Sequence, residues 1–261
     1  MSSFETIIIT IKNSVAELIL DRADKHNALN ALMIKEIRQA VSEITSDESI
    51  KVVVLSAKGK SFCAGGDLNW MKQQAARDRE GKIAESTELA LMLRDLDQLA
   101  KPLIGRIQGS AYGGGVGMIS VCDIAIATDT VKLALTETRL GLIPATIGPY
   151  VVRRLGEANA RQVFMNGKRF DAAQAFKFGL ISKIVDEQQL DNAIESEINA
   201  FLQCAPGAVA DAKSLCIQLA RNPDEDNLEM TANRLADRWQ SREAQEGIDA
   251  FFAGTRAPWI K

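Results

Sequence analysis

Hydrophobic residues in the first half of the chain fall into two alternating patterns. Short β-branched runs at Ile7–Ile11, Val15–Leu20, Val52–Ser56, Leu103–Gln108 and Ile124–Ala127 predict strands. Between them, Leu29–Ile44 and Glu85–Leu99 carry apolar residues at the spacing of one helix face. Strands that alternate with helices build a largely parallel sheet covered by helices, so an α/β fold is expected. Past about Gly141 only Leu180–Val185 reads as a strand, and the tail from Glu187 to Phe252 is nearly all helical. Pro206 suits the first turn of a restarting helix. The change of pattern places a soft boundary near residue 200, between an α/β core (residues 1–200) and a helical C-terminal region (residues 201–261). No repeat is visible along the chain. A tail this short cannot bury a core of its own, so Phe251, Phe252 and Trp259 are expected to anchor it on the main body or on a neighbouring subunit.

Composition narrows the function classes. With 261 residues, 46% of them hydrophobic, the chain can bury a large core and is neither disordered nor fibrous. A net charge of -3 provides no basic face for nucleic acid or an anionic membrane, so any anionic ligand must be met by local groups. Cys63, Cys122, Cys204 and Cys216 show no paired spacing, which argues against a zinc site or a disulfide framework and for reduced thiols in a cytoplasmic protein. The first residues lack the features of a targeting leader, and no run of about eighteen apolar residues occurs, so a soluble, unprocessed protein is expected.

Two glycine-rich turns stand out: Ser61 to Leu68, reading SFCAGGDL, and Gly109 to Gly115, reading GSAYGGG. Each follows a strand and is expected to open a helix. Glycine there lets the backbone approach a ligand, and the free N–H groups of a first helical turn favour an oxygen carrying negative charge. The competing explanation is close packing. Neither turn is followed by Gly-Lys-Ser/Thr, which excludes a Walker-type phosphate loop, and GGGVG lacks the dinucleotide spacing. Asp67 is placed to cap the first of these helices. Glu137, where a short apolar strand runs into a turn, is a candidate for proton transfer through a pKa raised by its apolar neighbours, although a lone Glu is more often a surface or capping residue. His26 is the single histidine. It sits in a polar loop with no nucleophile elbow elsewhere, so an exposed loop position is favoured over a triad.

Taken in order, NALNAL from Asn27, FCAGGDL from Phe62, Gly109 through Gly115, Cys122-Asp123-Ile124, Glu137 through Pro144, Ala172 through Ser182 and EGIDAF from Glu246 resemble the crotonase (enoyl-CoA hydratase/isomerase) superfamily over nearly the whole chain. The resemblance implies a crotonase-like ββα spiral core with a helical C-terminal trimerisation region, assembled as a homotrimer or a dimer of trimers. It implies an acyl-CoA substrate and no cofactor or metal beyond the coenzyme A moiety itself. It assigns the oxyanion hole to the backbone N–H groups of Gly66 and Gly114, and general acid/base work to Glu137. Coenzyme A would lie against Lys25, His26, Ala28, Ala64 and the Gly66-Asp67-Leu68 backbone, with Phe251 and Arg256 contributing from the tail, across a subunit interface in an oligomer.

One departure bears on the reaction. Hydratases of this superfamily use two glutamates, and the position of the first, three residues after Gly114, is Gly117 here. The pairing of GGGVG with IPATIGPYVV is similar to a bacterial branch that hydrates 3-methylglutaconyl-CoA in leucine degradation, whose substrate brings a second carboxylate that can supply what Gly117 lacks. The expected activity is therefore hydration of an enoyl-CoA, with 3-methylglutaconyl-CoA or another short or branched enoyl-CoA as substrate. A double-bond isomerase working with one carboxylate and a CoA-binding protein with a degenerate site are the alternatives. RNA binding through the first helix is disfavoured, since Lys35 and Arg38 there are offset by Glu36 and Glu43. Trp70, Met71 and the segment after Pro144 are expected to line the acyl pocket.

Overall fold

The computed structural model describes residues 2–221 and 226–260. The chain opens with β1 (Ile7–Lys12) and β2 (Val15–Leu20), an antiparallel hairpin whose two-residue turn holds Asn13 and Ser14 at φ 51° and 65°. Positive φ at both positions matches the twist of the strands. Helix α1 (Ala31–Ser46) follows, capped by the Asn30 side chain on the Met33 N–H, and buries Met33, Ile34, Ile37, Val41 and Ile44 along one face.

From here the chain repeats one motif. Strand β3 (Val52–Ala57) joins the large sheet, β4 (Ser61–Cys63) starts a small one, and α2 (Leu68–Ala76) with α3 (Arg79–Asp97) returns. The next pass is β5 (Leu103–Ile107), β6 (Ser110–Tyr112) and α4 (Gly114–Ser120). The third is β7 (Ile124–Thr128), β8 (Lys132–Ala134), a 3-10 turn over Glu137–Leu140, and α5 (Gly148–Leu155). Strands β3, β5 and β7 pair in parallel in one sheet, and β4, β6 and β8 in parallel in the other. The chain thus winds as a ββα spiral, with a repeat the sequence did not display because each short second strand is only three residues long.

After α6 (Glu157–Phe164), the two-residue strand β9 (Phe170–Asp171) and α7 (Ala172–Lys177), strand β10 (Lys183–Val185) completes the six-stranded sheet, in the order β1-β2-β3-β5-β7-β10. The expected strand over Leu180–Val185 is shorter than anticipated. Gly179, at φ 79°, turns the chain, and Leu180 and Ile181 are buried without joining the sheet. Helix α8 (Leu190–Leu202) covers the far face of the large sheet with Leu190, Ala193 and Ile194 against Val52, Val54, Ile104 and Ile126. Buried on both faces, β3 is apolar throughout except for Ser56, which explains why it reads as a continuous run rather than an alternating one.

The tail is helical: α9 (Pro206–Arg221), opened by Pro206 as expected, α10 (Leu228–Trp239) and α11 (Arg242–Ala253). The expected helical run also crosses residues 222–225, which lie outside the described residues. Helix α9 is tied to the core by Lys213, whose ammonium reaches Asp123 Oδ2 at 2.8 Å and the Lys101 carbonyl at 3.2 Å. The three expected anchors divide. Trp259 does pin the chain end, donating its indole N–H to Gln203 O, but Phe251 and Phe252 are 79% and 82% exposed and anchor nothing within the protomer. They sit on the outward face of α11.

Candidate active site

A cleft of about 410 Å³ opens between the α2–α3 pair and the segment from Glu137 to Ile147. Both glycine turns reach it. Leu29 N–H bonds Gly65 O at 2.7 Å and Asp67 N–H bonds Leu29 O at 2.8 Å, so the 26–29 loop and the first turn are laced together around Gly66. The Gly66 N–H itself is left without a protein acceptor among the described residues, as is that of Gly114, the first residue of α4. Gly65 and Gly113 approach closely. The two free N–H groups therefore belong to adjoining turns on one wall, the arrangement needed to hold an oxygen that gains charge.

Each of the three consecutive glycines of the second turn has its own reason. Gly113 takes φ 47°, a region side chains rarely adopt, and a methyl there would lie 3.1 Å from Glu137 Oε1. A methyl on Gly115 would strike the Cys63 carbonyl at 2.5 Å, which is packing alone. Gly114 meets only the flexible tip of Leu29, at 2.7 Å. Packing explains Gly115 and backbone conformation Gly113, which leaves Gly114 for the approach of backbone to the cleft.

Glu137 begins the 3-10 turn and faces the same cleft. Its Oε2 is buried and has no hydrogen-bond partner among the described residues. Burial pushes its carboxyl above the ordinary carboxylate range, partly offset by its own backbone N–H. A carboxylate left unpaired in an apolar wall is costly unless it has work to do, and a raised pKa suits it to take and return a proton.

The absent first glutamate is more than a missing side chain. A methyl built on Gly117 would lie 2.5 Å from Ile147 Cγ2 and 3.0 Å from its Cβ, so the space is filled. Gly117→Glu is accordingly expected to lower stability by about 1–3 kcal/mol through overpacking, without raising activity; urea titration and turnover assays check both.

The remaining expected ligand residues are placed unequally. Asp67 caps α2 through the Asn69 and Trp70 N–H groups and pairs with Arg22 at 3.0 Å. Burial would raise its carboxyl, but the Trp70 N–H and the Arg22 guanidinium hold it below the usual range. Lys25 and His26 are exposed on the neighbouring loop, with His26 Nδ1 3.1 Å from Ser61 Oγ, while Ala28 is buried and Leu68 is 76% exposed. Ala64 is lashed to this loop by its N–H on His26 O. Phe251 and Arg256 are exposed on the tail and do not line the cleft of their own chain. Trp70, Met71, Thr146 and Ile147 do line it.

Several residues escaped the sequence reading. Arg22 and Asn27 build the loop: Arg22 reaches Ala28 O and Asp67, and Asn27 spans the Lys58 and Ser61 carbonyls from a left-handed backbone at φ 52°. Gln74, Lys82 and Glu85 add polar groups to the cleft. Gln74 carried a readable signal, since it lies four residues after Trp70 on the same helix face. Cys63 and Cys122 are buried thiols pushed up to about 12 by burial, which removes them as nucleophiles. Hollows of about 620 and 540 Å³ lie along α9, but their walls are the seam between tail and core and include neither glycine turn. No helix among the described residues is long and apolar enough to cross a membrane.

Known proteins resemble this chain over most of its length. The crystal structure of an enoyl-CoA hydratase from Shewanella pealeana is 40% identical, superposes with a TM-score of 0.95 and covers 98% of this chain and 96% of its own. An enoyl-CoA hydratase/isomerase from Marinobacter aquaeolei is 31% identical at a TM-score of 0.93, covering 98% and 99%. Enoyl-CoA hydratase AKT6-1 of Alternaria alternata is 32% identical over 215 residues, 80% of this chain and 68% of its own. The model of the enoyl-CoA hydratase/isomerase family matches residues 10–261. With the ββα spiral, the paired glycine turns and the buried carboxylate all in place, the chain belongs to the enoyl-CoA hydratase/isomerase family of enzymes.

Proposed function

We propose that the protein adds water to the double bond of an enoyl-CoA thioester, with 3-methylglutaconyl-CoA as the substrate and related short or branched enoyl-CoAs as lesser ones. The observation that carries the reading is the unpaired Glu137 oxygen sharing one cleft with the free Gly66 and Gly114 N–H groups. Glu137 takes a proton from water as its oxygen bonds to C3. The electrons of the double bond move to the thioester oxygen, and the two N–H groups hold the resulting enolate. Glu137, now a carboxylic acid, returns the proton to C2, so one carboxylate completes the addition and regenerates itself. With Gly117 walled in by Ile147, the second carboxylate of a glutaconyl substrate orders the water in place of the missing glutamate.

Glu137 must start deprotonated. Activity is therefore expected to fall as pH drops through its raised value, placing the acid limb of kcat/KM above the ordinary 4.5 of a glutamate and removing that limb in Glu137→Gln. The direct test is product analysis with 3-methylglutaconyl-CoA and crotonyl-CoA. Equal rates on both would refute the role given to the substrate carboxylate. A single carboxylate also suits an isomerase shuttling one proton, and double-bond migration without water addition would establish that reading instead.

Coenzyme A is proposed to run along the loop of Lys25, His26 and Ala28 and past Ala64 to the backbone of Gly66, Asp67 and Leu68. A homotrimer, alone or paired, would bring Phe251 and Arg256 of one protomer to the coenzyme on the next. The exposed apolar face of Leu235, Trp239, Phe251 and Phe252 supports such an assembly.

A further inference from the structure

Two polar side chains in the acyl cleft have no part in holding the enolate or moving its proton. Gln74 Nε2 is buried on α2 with no hydrogen-bond partner among the described residues, and Lys82 on α3 lines the same cleft and makes no ion pair among them. Buried amides are almost always satisfied, so an unsatisfied one on a side chain that lines a ligand cavity points to a ligand atom that accepts hydrogen bonds once the side chain turns toward it. The apparent objection is Glu85, an anion in the same wall. It is already held by Arg77 at 3.0 Å and by the Trp70 indole N–H at 3.1 Å, which leaves the exposed Lys82 at the cleft rim without an ion-pair partner among the described residues. Gln74 lies one helical turn, ~6 Å, beyond Trp70, on the side of α2 away from Gly66. The acyl group bound at its thioester end by Gly66 therefore meets apolar wall first and the amide afterwards.

We propose that Gln74, supported by Lys82, is the specificity site of this enzyme and receives an anionic oxygen, a carboxylate, carried by the acyl chain distal to the thioester. The proposal rests on the cleft being the acyl-CoA site, and it is independent of whether the reaction there is hydration or isomerisation. Mechanistically, a donor that is unpaired in the free protein loses nothing when a carboxylate arrives, whereas an acyl group ending in a methyl leaves it buried and unsatisfied.

Binding of non-reacting, saturated ligands separates this claim from the chemistry. In calorimetric titrations, 3-methylglutaryl-CoA is expected to bind the parent about 10- to 100-fold more tightly than isovaleryl-CoA, which has the same branch but no distal carboxylate. Gln74→Leu should bring that ratio close to one. The near-isosteric Gln74→Glu should invert it by like-charge repulsion, and Lys82→Gln should reduce it severalfold. Should Gln74→Leu fail to fold, the isosteric variant and the parent ratio still decide. Equal binding of the two ligands to the parent overturns the proposal, as does a ratio that survives both Gln74 variants. Failure of the parent to hydrate any enoyl-CoA while still preferring the carboxylated ligand would leave this assignment standing and sink the hydratase reading alone. Binding of neither ligand would sink the acyl-CoA cleft and the proposal together.

Discussion

Glu137→Gln is expected to lower kcat by about a thousandfold while leaving the affinity for a saturated acyl-CoA within a few fold. The amide keeps the shape of the side chain at the lip of Gly113, but it can neither accept the proton of water nor return it to C2. Among the described residues no other carboxylate is placed to take over, because Gly117 is filled by Ile147 and Glu85 is engaged by Arg77 and Trp70. The same substitution should have the opposite effect on stability. Burial raises the folded pKa of Glu137 above the unfolded 4.5, so its contribution to stability is fully present below that value and is lost as pH rises through the folded one. At about pH 7 the buried charge weighs against the fold. Glu137→Gln should therefore melt higher than the parent at neutral pH, with the difference closing toward about pH 4. Paired thermal scans and single-turnover assays read both halves. A variant that is less active but no more stable would mean that the carboxylate has a partner supplied in solution.

The second large effect is expected at the outer face of the tail. Phe251 and Phe252 stand edge-to-face at 5.6 Å and are almost fully exposed, with Trp239 and Leu235 61% exposed on α10. Fully burying a large apolar side chain contributes about 1.5–3 kcal/mol, so two phenylalanines, a tryptophan and a leucine left to water are a substantial loss that the proposed assembly would recover. Phe251→Asp with Phe252→Asp should convert a trimer into monomers at micromolar concentration in sedimentation experiments. Turnover should fall with it, through loss of the contact proposed between Phe251 and coenzyme A on the neighbouring protomer. A parent that sediments as a monomer would contradict the assembly, and dissociation with full activity would confine these residues to packing.

Much of this was legible in the residues. Strand runs such as Val52–Ser56 announced themselves because a strand buried on both faces must be apolar, and Asp67 before a helix behaves as a cap wherever it occurs. Other parts were silent for physical reasons. Strands β4, β6 and β8 are three residues long, too short to carry a period, which concealed the spiral repeat. Helix α3 begins at Arg79, six residues before its expected start at Glu85, because its first turns face solvent and are held by the Asp78 cap rather than by apolar residues. The site divides in the same way. Glycine turns and a glutamate after a short strand are visible in one dimension, but the plug of Gly117 by Ile147, thirty residues away, and the unsatisfied amide of Gln74 exist only once the chain is folded.

Under the proposed function, water is added to an enoyl-CoA by one buried carboxylate beside two backbone donors. The measurement that bears on it most directly is mass analysis of the product formed from 3-methylglutaconyl-CoA in water labelled with heavy oxygen, with the parent and Glu137→Gln side by side. A product heavier by one labelled water is expected with the parent and none with the variant. An unlabelled product of unchanged mass with a shifted double bond, or label incorporated equally by both proteins, would contradict it.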